Sequence, residues 1–201
     1  TGNITLPENT SLTIEPGTKI RFNGQYWLKV YGLLEVQGTE EEPVVFTSMP
    51  ANQVYNKGQW EGIWFYDAAS DQSFIDNALI EYSRQAIWAS YCSPTFTNMI
   101  VRNNSEYAFH LRDDNTSFVE NIVIQNNTNY GILMHNKAMP TINNCVIDNS
   151  GRGIEASERS SFNIYNSVIK NNTNHGIYLD NCYVKILNNT IQNNAPAGLY
   201  I

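Results

Sequence analysis

The sequence has no apolar run of about 18 residues, little charge and few basic side chains. Of 201 residues, 15% are charged, with 12 Lys and Arg against 19 Asp and Glu. The first absence argues against a membrane-spanning helix. The shortage of basic residues leaves no electrostatic footprint for nucleic acid, so that partner is excluded. The first residues carry neither a basic n-region nor an apolar h-region, and no signal peptide is read there. Only three cysteines occur, Cys92, Cys145 and Cys182, with no C-x-x-C spacing. That is neither a disulfide framework nor a zinc pattern, and the three are expected to be small packing residues. No cofactor or metal is implied. Helix formers are scarce, and no long window shows apolar residues at i, i+3, i+4 and i+7. Short apolar runs between Asn, Gly and Ser point to an all-β chain. An apolar fraction of 42% is enough for a packed core.

Asparagine is the excess. There are 28, with six in residues 1–97 and 22 in residues 98–201. The regular part of the chain explains the skew, because it is a repeat. Small-plus-apolar pairs recur at Ala86-Ile87, Ala108-Phe109, Gly131-Ile132, Gly153-Ile154, Gly176-Ile177 and Gly198-Leu199, with apolar members 22, 23, 22, 23 and 22 residues apart. A second frame of apolar hexads begins at Ile75, Phe96, Val119, Ile142, Ile164 and Ile186. Its third position is always Asn: Asn77, Asn98, Asn121, Asn144, Asn166 and Asn188. Two residues beyond each of the last five hexads comes Asn103, Asn126, Asn149, Asn171 or Asn193, and Tyr82 takes that place in the first.

Each repeat holds three short apolar runs separated by turn residues. At about 3.3 Å per strand residue, a period near 22 closes one coil of three strands and three bends. Coils stacked about 4.8 Å apart pair as parallel strands. The expected fold is a right-handed three-faced parallel β-helix, a solenoid of roughly eight to nine coils. Asn tolerates the left-handed conformation that such bends require, and its amide can bond along the stack. The two Asn series are therefore expected to form internal ladders. Of the seven N-x-S/T sequons, those at Asn103, Asn126, Asn171 and Asn188 should then be inaccessible to a glycan, leaving Asn3, Asn9 and Asn115.

Residues 1–65 follow the same logic with longer loops. The largest interruption runs from Met49 to Gln59, before Trp60-Glu61-Gly62-Ile63-Trp64-Phe65 re-enters the array. No linker-like stretch appears, so one domain over residues 1–201 is expected, with long-looped coils at 1–74 and regular coils at 75–201. The stretch from Leu12 to Phe22, then Gly32 to Thr39, Pro43 to Ser48 and Trp60 to Ile63, resembles the N-terminal region of secreted right-handed β-helix repeat proteins. The later Asn and Gly-Ile repeats are similar to the pectate-lyase-like superfamily of carbohydrate-binding proteins and sugar hydrolases. That resemblance implies a secreted or cell-surface location and a polysaccharide or cell-surface glycan as partner. It specifies no reaction, because members include lyases, hydrolases, epimerases, adhesins and surface-layer proteins. The polygalacturonase-like motifs are not present, with only Asp113-Asp114 and His175-Gly176 echoing parts of them. The Asp-Pro-His-Asp motif of mannuronan epimerases and the calcium-binding acids of pectate lyases are also missing.

Alternation along the Gly-Ile strands predicts an inward column, Phe65, Ala89, Leu111, Met134, Ala156, Leu179 and Ile201. The matching outward column is Trp64, Trp88, His110, Leu133, Glu155, Tyr178 and Tyr200. Four of its seven members are Trp or Tyr, a surface suited to stacking on sugar rings; packing between neighbouring coils is the structural alternative. The loops beyond these strands place Asp113, Asp114, His135 and Glu158 on successive coils. Carboxylates two coils apart would be about 9–10 Å apart, near the upper end of the inverting-glycosidase range of ~6.5–9.5 Å. A further column, Leu79, Ile100, Val123, Val146, Val168 and Thr190, is either core or an outward apolar face suited to lateral packing. Gly198-Leu199-Tyr200-Ile201 completes a strand with no cap after it, so the pattern implies a longer protein or end-to-end stacking.

The leading expectation is a non-catalytic extracellular module for carbohydrate binding or surface attachment, using Trp64, Trp88, His110, Glu155, Tyr178 and Tyr200. The alternatives are a polysaccharide-active hydrolase or lyase using Asp113, Asp114, His135 and Glu158, and a structural spacer or assembly module.

Overall fold

The structure, a computed structural model, describes all residues except Thr1, Ala51, Gln53 and Ala68. Three short strands per coil stack into three parallel sheets. The first has nine strands, from Ile4–Leu6 to Leu199–Tyr200, and the second and third have eight each. Equivalent residues recur every 21 to 23 positions in the regular coils, and every pairing is parallel. Among the described residues no helix occurs, and none is long and apolar enough to cross a membrane. The expected Met49–Gln59 interruption includes Ala51 and Gln53, which lie outside the described residues.

Alternation fills the interior from all three sheets. Ile87, Phe109, Ile132 and Ile154 line the first sheet, Phe96, Val119, Ile142 and Ile164 the second, and Val101, Ile124, Ile147 and Ile169 the third, all fully buried. Each such side chain contributes roughly 1.5–3 kcal/mol when removed from water. The inward column behaves as read from Phe65 to Leu179, whereas Ile201 is exposed. At the long-looped end, Trp60 is buried in parallel stacking on Phe22 at 4.2 Å, and its Nε1 donates to the Glu81 carbonyl at 2.8 Å.

The three bends share one design. One residue, or at the third bend often two in succession, with φ between 48° and 64° turns the chain, and the residue that follows points inward. The turning residues at two bends are the two Asn series. At the third bend they are Tyr91, Asp113-Asp114, Asn136-Lys137, Glu158-Arg159 and Asn181.

This corrects the ladder assignment. Asn98, Asn121, Asn144, Asn166 and Asn188 are exposed, and hand amides along the outer surface, as Asn121 Nδ2 does to Asn98 Oδ1 at 3.0 Å. The second series is also exposed or half-buried. The buried ladder is one residue further along: Ser83, Asn104, Asn127, Ser150, Asn172 and the partly buried Asn194. Asn104 Oδ1 accepts from the Ser83 amide at 2.9 Å, and Asn127 Oδ1 accepts from the Asn104 amide at 3.1 Å. The amide nitrogens cap core-facing carbonyls, as Asn127 Nδ2 does for Val101. At this bend the single left-handed residue throws its own side chain outward and turns its successor in, which is why the second Asn of each pair is the internal one.

The sequon expectation fails at three of the seven sites. Asn171 and Asn188 are exposed, while Asn115 is fully buried, donating to the Cys92 carbonyl at 2.5 Å. Asn3 and Asn9 are exposed, as expected. All three cysteines occupy the inward position after a turning residue, and all are free. Burial pushes the thiols of Cys92 and Cys145 up to about 12 and about 11.

Candidate functional site

Pairing in the first sheet places Trp64, Trp88, His110, Leu133, Glu155, Tyr178 and Tyr200 in one column, as the repeat implies. Lys29 precedes Trp64 in the same column. The column points outward, but it is not evenly open. Trp64, Trp88, Glu155 and Tyr178 are half-buried and Tyr200 is exposed, while His110 and Leu133 are only 7% and 6% accessible.

The long-looped end carries the densest group of aromatics. Trp27 and Trp64 stack at 5.4 Å, Tyr31 and Tyr66 at 4.7 Å, and Trp88 lies 5.9 Å from Trp64 and 5.1 Å from Tyr66. All five rings are half-exposed. Beside this group, Gly62 is required by its backbone. It pairs opposite Trp27 with φ of 132°, and a side chain there would run into the Gln85 carbonyl. The Lys29 ammonium lies over Trp27, 4.3 Å from the ring centre, and 5.7 Å from Tyr66. Trp27 and Tyr31 fall outside the repeat because 35 residues separate Lys29 from Trp64 against 24 from Trp64 to Trp88, so the period does not reach them, whereas Tyr66 opens the loop just beyond the strand of Trp64.

The middle of the column is closed by its flanks. The His110 ring meets Tyr107 edge-on at 5.0 Å on one side and His135 edge-on at 5.1 Å on the other, and His110 Nε2 lies 3.3 Å from His135 Nδ1. Burial, then His135 and Arg112, holds the His110 imidazole down at about 3. Beyond it, Arg152 pairs with Glu155 and lies over Tyr178 at 4.4 Å, and Tyr178 stacks on Tyr200 at 5.0 Å with His175 against both. Trp88 and Tyr178 are four coils apart, about 19 Å at the strand spacing.

The alternative acid/base residues do not converge. Asp113 is buried, with its carboxylate accepting from Ser90 at 2.5 Å, Arg112 at 2.7 Å and Asn136 at 2.5 Å. Burial works to raise its pKa, but these donors and the Arg112 charge prevail and hold the carboxyl below its ordinary range. Asp114 and Glu158 are exposed turning residues, and the backbones of Asn136 and Lys137 pass between them. His135 faces His110 rather than a carboxylate. Among the described residues no group of His, Cys, Asp and Glu is placed to hold a metal ion.

Residues 52–201 match the model of the right-handed beta helix region. The chain belongs to the right-handed beta helix family. Comparison with curated proteins and with solved structures gives no match. Membership of the beta helix family accounts for the coil, the bends and the ladders, and leaves the reaction or ligand to the residues on the outer faces.

Proposed function

We propose that this chain is a non-catalytic module that binds polysaccharide or cell-surface glycan along the outer face of the first sheet, outside the cell or on its surface. The carrying observation is the group of five half-exposed rings at Trp27, Tyr31, Trp64, Tyr66 and Trp88. Flat indole faces offer dispersion and C–H contacts to sugar rings, and the second group at Tyr178 and Tyr200 extends the same strip. Between the groups, Arg152 and Glu155 supply polar contacts suited to hydroxyls. The commitment of Asp113 to three donors supports a binding role over an acid/base one.

The test is affinity electrophoresis against a panel of neutral and acidic polysaccharides, with reducing-end release measured in parallel. Each stacked ring is worth about 1 kcal/mol, so Trp64→Ala or Trp88→Ala should weaken a bound glycan about fivefold. Binding untouched by both substitutions would refute the assignment. Release of reducing ends that is lost in Asp114→Asn or Glu158→Gln would establish the enzymatic alternative instead.

A further inference from the structure

The third sheet carries two outward columns. The first is apolar: Leu79, Ile100, Val123, Val146 and Val168 pair in register. Val45 precedes them and Thr190 follows. All five side chains are half-exposed or exposed, Ile100 at 41%. This settles the open reading of that column: it is an outward face, not core. A contiguous aliphatic row of this kind on a soluble surface marks an interaction site.

The second column lies two residues further along the same strands, about 7 Å away, and is polar: Glu81, Arg102, Gln125, Asp148 and Lys170, again in register, with Glu81 buried and the other four half-exposed. Within the chain, Glu81 pairs with Arg102 at 2.9 Å and Asp148 with Lys170 at 3.5 Å. Read along the solenoid, the charges run minus, plus, neutral, minus, plus. Reversed about Gln125, the series becomes plus, minus, neutral, plus, minus. Every charge meets its opposite when the column is laid against a reversed copy of itself.

Val123 and Gln125 belong to the same strand, Val123–Gln125, so both columns share one centre. We infer that a second copy of this chain docks on this face, with a two-fold axis along that strand and the two solenoids antiparallel. Such an axis reverses the order of coils but keeps column over column. Val123 then faces Val123 of the second copy, Ile100 faces Val146, and Leu79 faces Val168. Arg102 faces Asp148, and Lys170 comes over the end of the column held by Glu81, whose buried carboxylate also accepts from Thr47 at 3.2 Å and from Arg102 at 2.9 Å. The interface is isologous, so each pair forms twice. A two-fold along the solenoid axis would instead set the aliphatic column against the ionic one, burying charges on valines without new partners. Charge order and apolar placement therefore select the same one of the two face-to-face arrangements. The five central strands span about 19 Å at the usual strand spacing. A patch this narrow falls below the standard interface, so the dimer should be reversible, with a dissociation constant in the micromolar range.

Sedimentation velocity from roughly 10 to 500 µM should show the sedimentation coefficient rising towards that of a dimer. Val123→Lys sets two ammonium groups against each other on the axis and should sediment as a monomer throughout, with an unchanged far-ultraviolet spectrum. Register is tested in a Cys182→Ser background with a short bis-maleimide. Leu79→Cys should couple to Val168→Cys in a mixed sample and not to itself, because the Leu79 pair would be about four coils, or 19 Å, out of step. A wild-type chain that stays monomeric at the highest concentration overturns the proposal. So does Val123→Lys that still dimerises, or Leu79→Cys that couples to itself as readily as to Val168→Cys.

Discussion

Asn126 and Asn127 are adjacent, chemically identical and placed for opposite reasons. Asn126 has φ of 60° and is half-buried. Its Oδ1 accepts from Asn149 Nδ2 at 2.7 Å on the outer surface. Asn127 is 1% accessible, accepts from both the amide and Nδ2 of Asn104, and donates to the Val101 carbonyl. Replacing Asn126 by Ala forces a Cβ-bearing residue with no local hydrogen bond into the left-handed region, a cost of roughly 1–2 kcal/mol. Asn126→Gly removes that strain and should be close to neutral. At Asn127 the backbone is not the difficulty. Asn127→Ala leaves the Asn104 donors and the Val101 carbonyl without partners in a dry interior, at about 1–3 kcal/mol per group, so a loss of about 3 kcal/mol or more is expected. Gly cannot restore those bonds, and Asn127→Gly should be at least as damaging. Asn127→Ser should be milder, because Ser83 and Ser150 hold the same ladder position. Urea unfolding followed by far-ultraviolet circular dichroism reads all five variants. If Gly rescues Ala at both positions, or at neither, the division into an outward turning residue and an inward ladder residue is wrong.

Acid should loosen the fold through His110. Its folded value of about 3 lies below the unfolded value near 6.5, so the unfolded chain takes up the proton first. The contribution is complete above about pH 6.5 and lost as pH falls toward 3, by about 2 kcal/mol at pH 5. His110→Leu, which repeats the neighbouring Leu133, should flatten the fall in urea midpoint between pH 7.5 and 5. An undiminished slope would show that other groups carry it. The cysteines should differ in reactivity at pH 8. Cys182, half-exposed, should titrate with a thiol reagent in the native chain, while Cys92 and Cys145 should react only on unfolding. Fast labelling of all three in the native state would contradict the inward bend positions. Enzymatic glycosylation in a secretory host should modify Asn188 or Asn171 but never Asn115, as glycopeptide mass spectrometry would read.

The repeat itself was legible because its signals are local. A left-handed bend selects Asn at the turning position whatever lies around it, and a period near 22 then fixes three strands and three bends. The apolar frame identified the inward residues from Phe65 to Leu179, since a strand alternates regardless of its neighbours. The outward column of the first sheet was also legible as a line of residues, from the spacing of the Gly-Ile pairs.

What occupies the surface, and how openly, was decided only by stacking. Which Asn of an Asn-Asn pair turns inward depends on the path of the bend, because the two side chains are the same. His110 sits in an outward column yet is buried, because Tyr107 and His135 from its own coil and the next close over it. Trp27 and Tyr31 join Trp64, Tyr66 and Trp88 across a loop of unequal length, where sequence period carries no information. The charge order on the third sheet acquires meaning only once parallel pairing sets Glu81, Arg102, Gln125, Asp148 and Lys170 in one line. The sequence by itself determined how the chain coils, through residue-level backbone preferences and alternation. Tertiary structure decided which side chains meet between coils, because that contact is set by register and loop path rather than by any single residue.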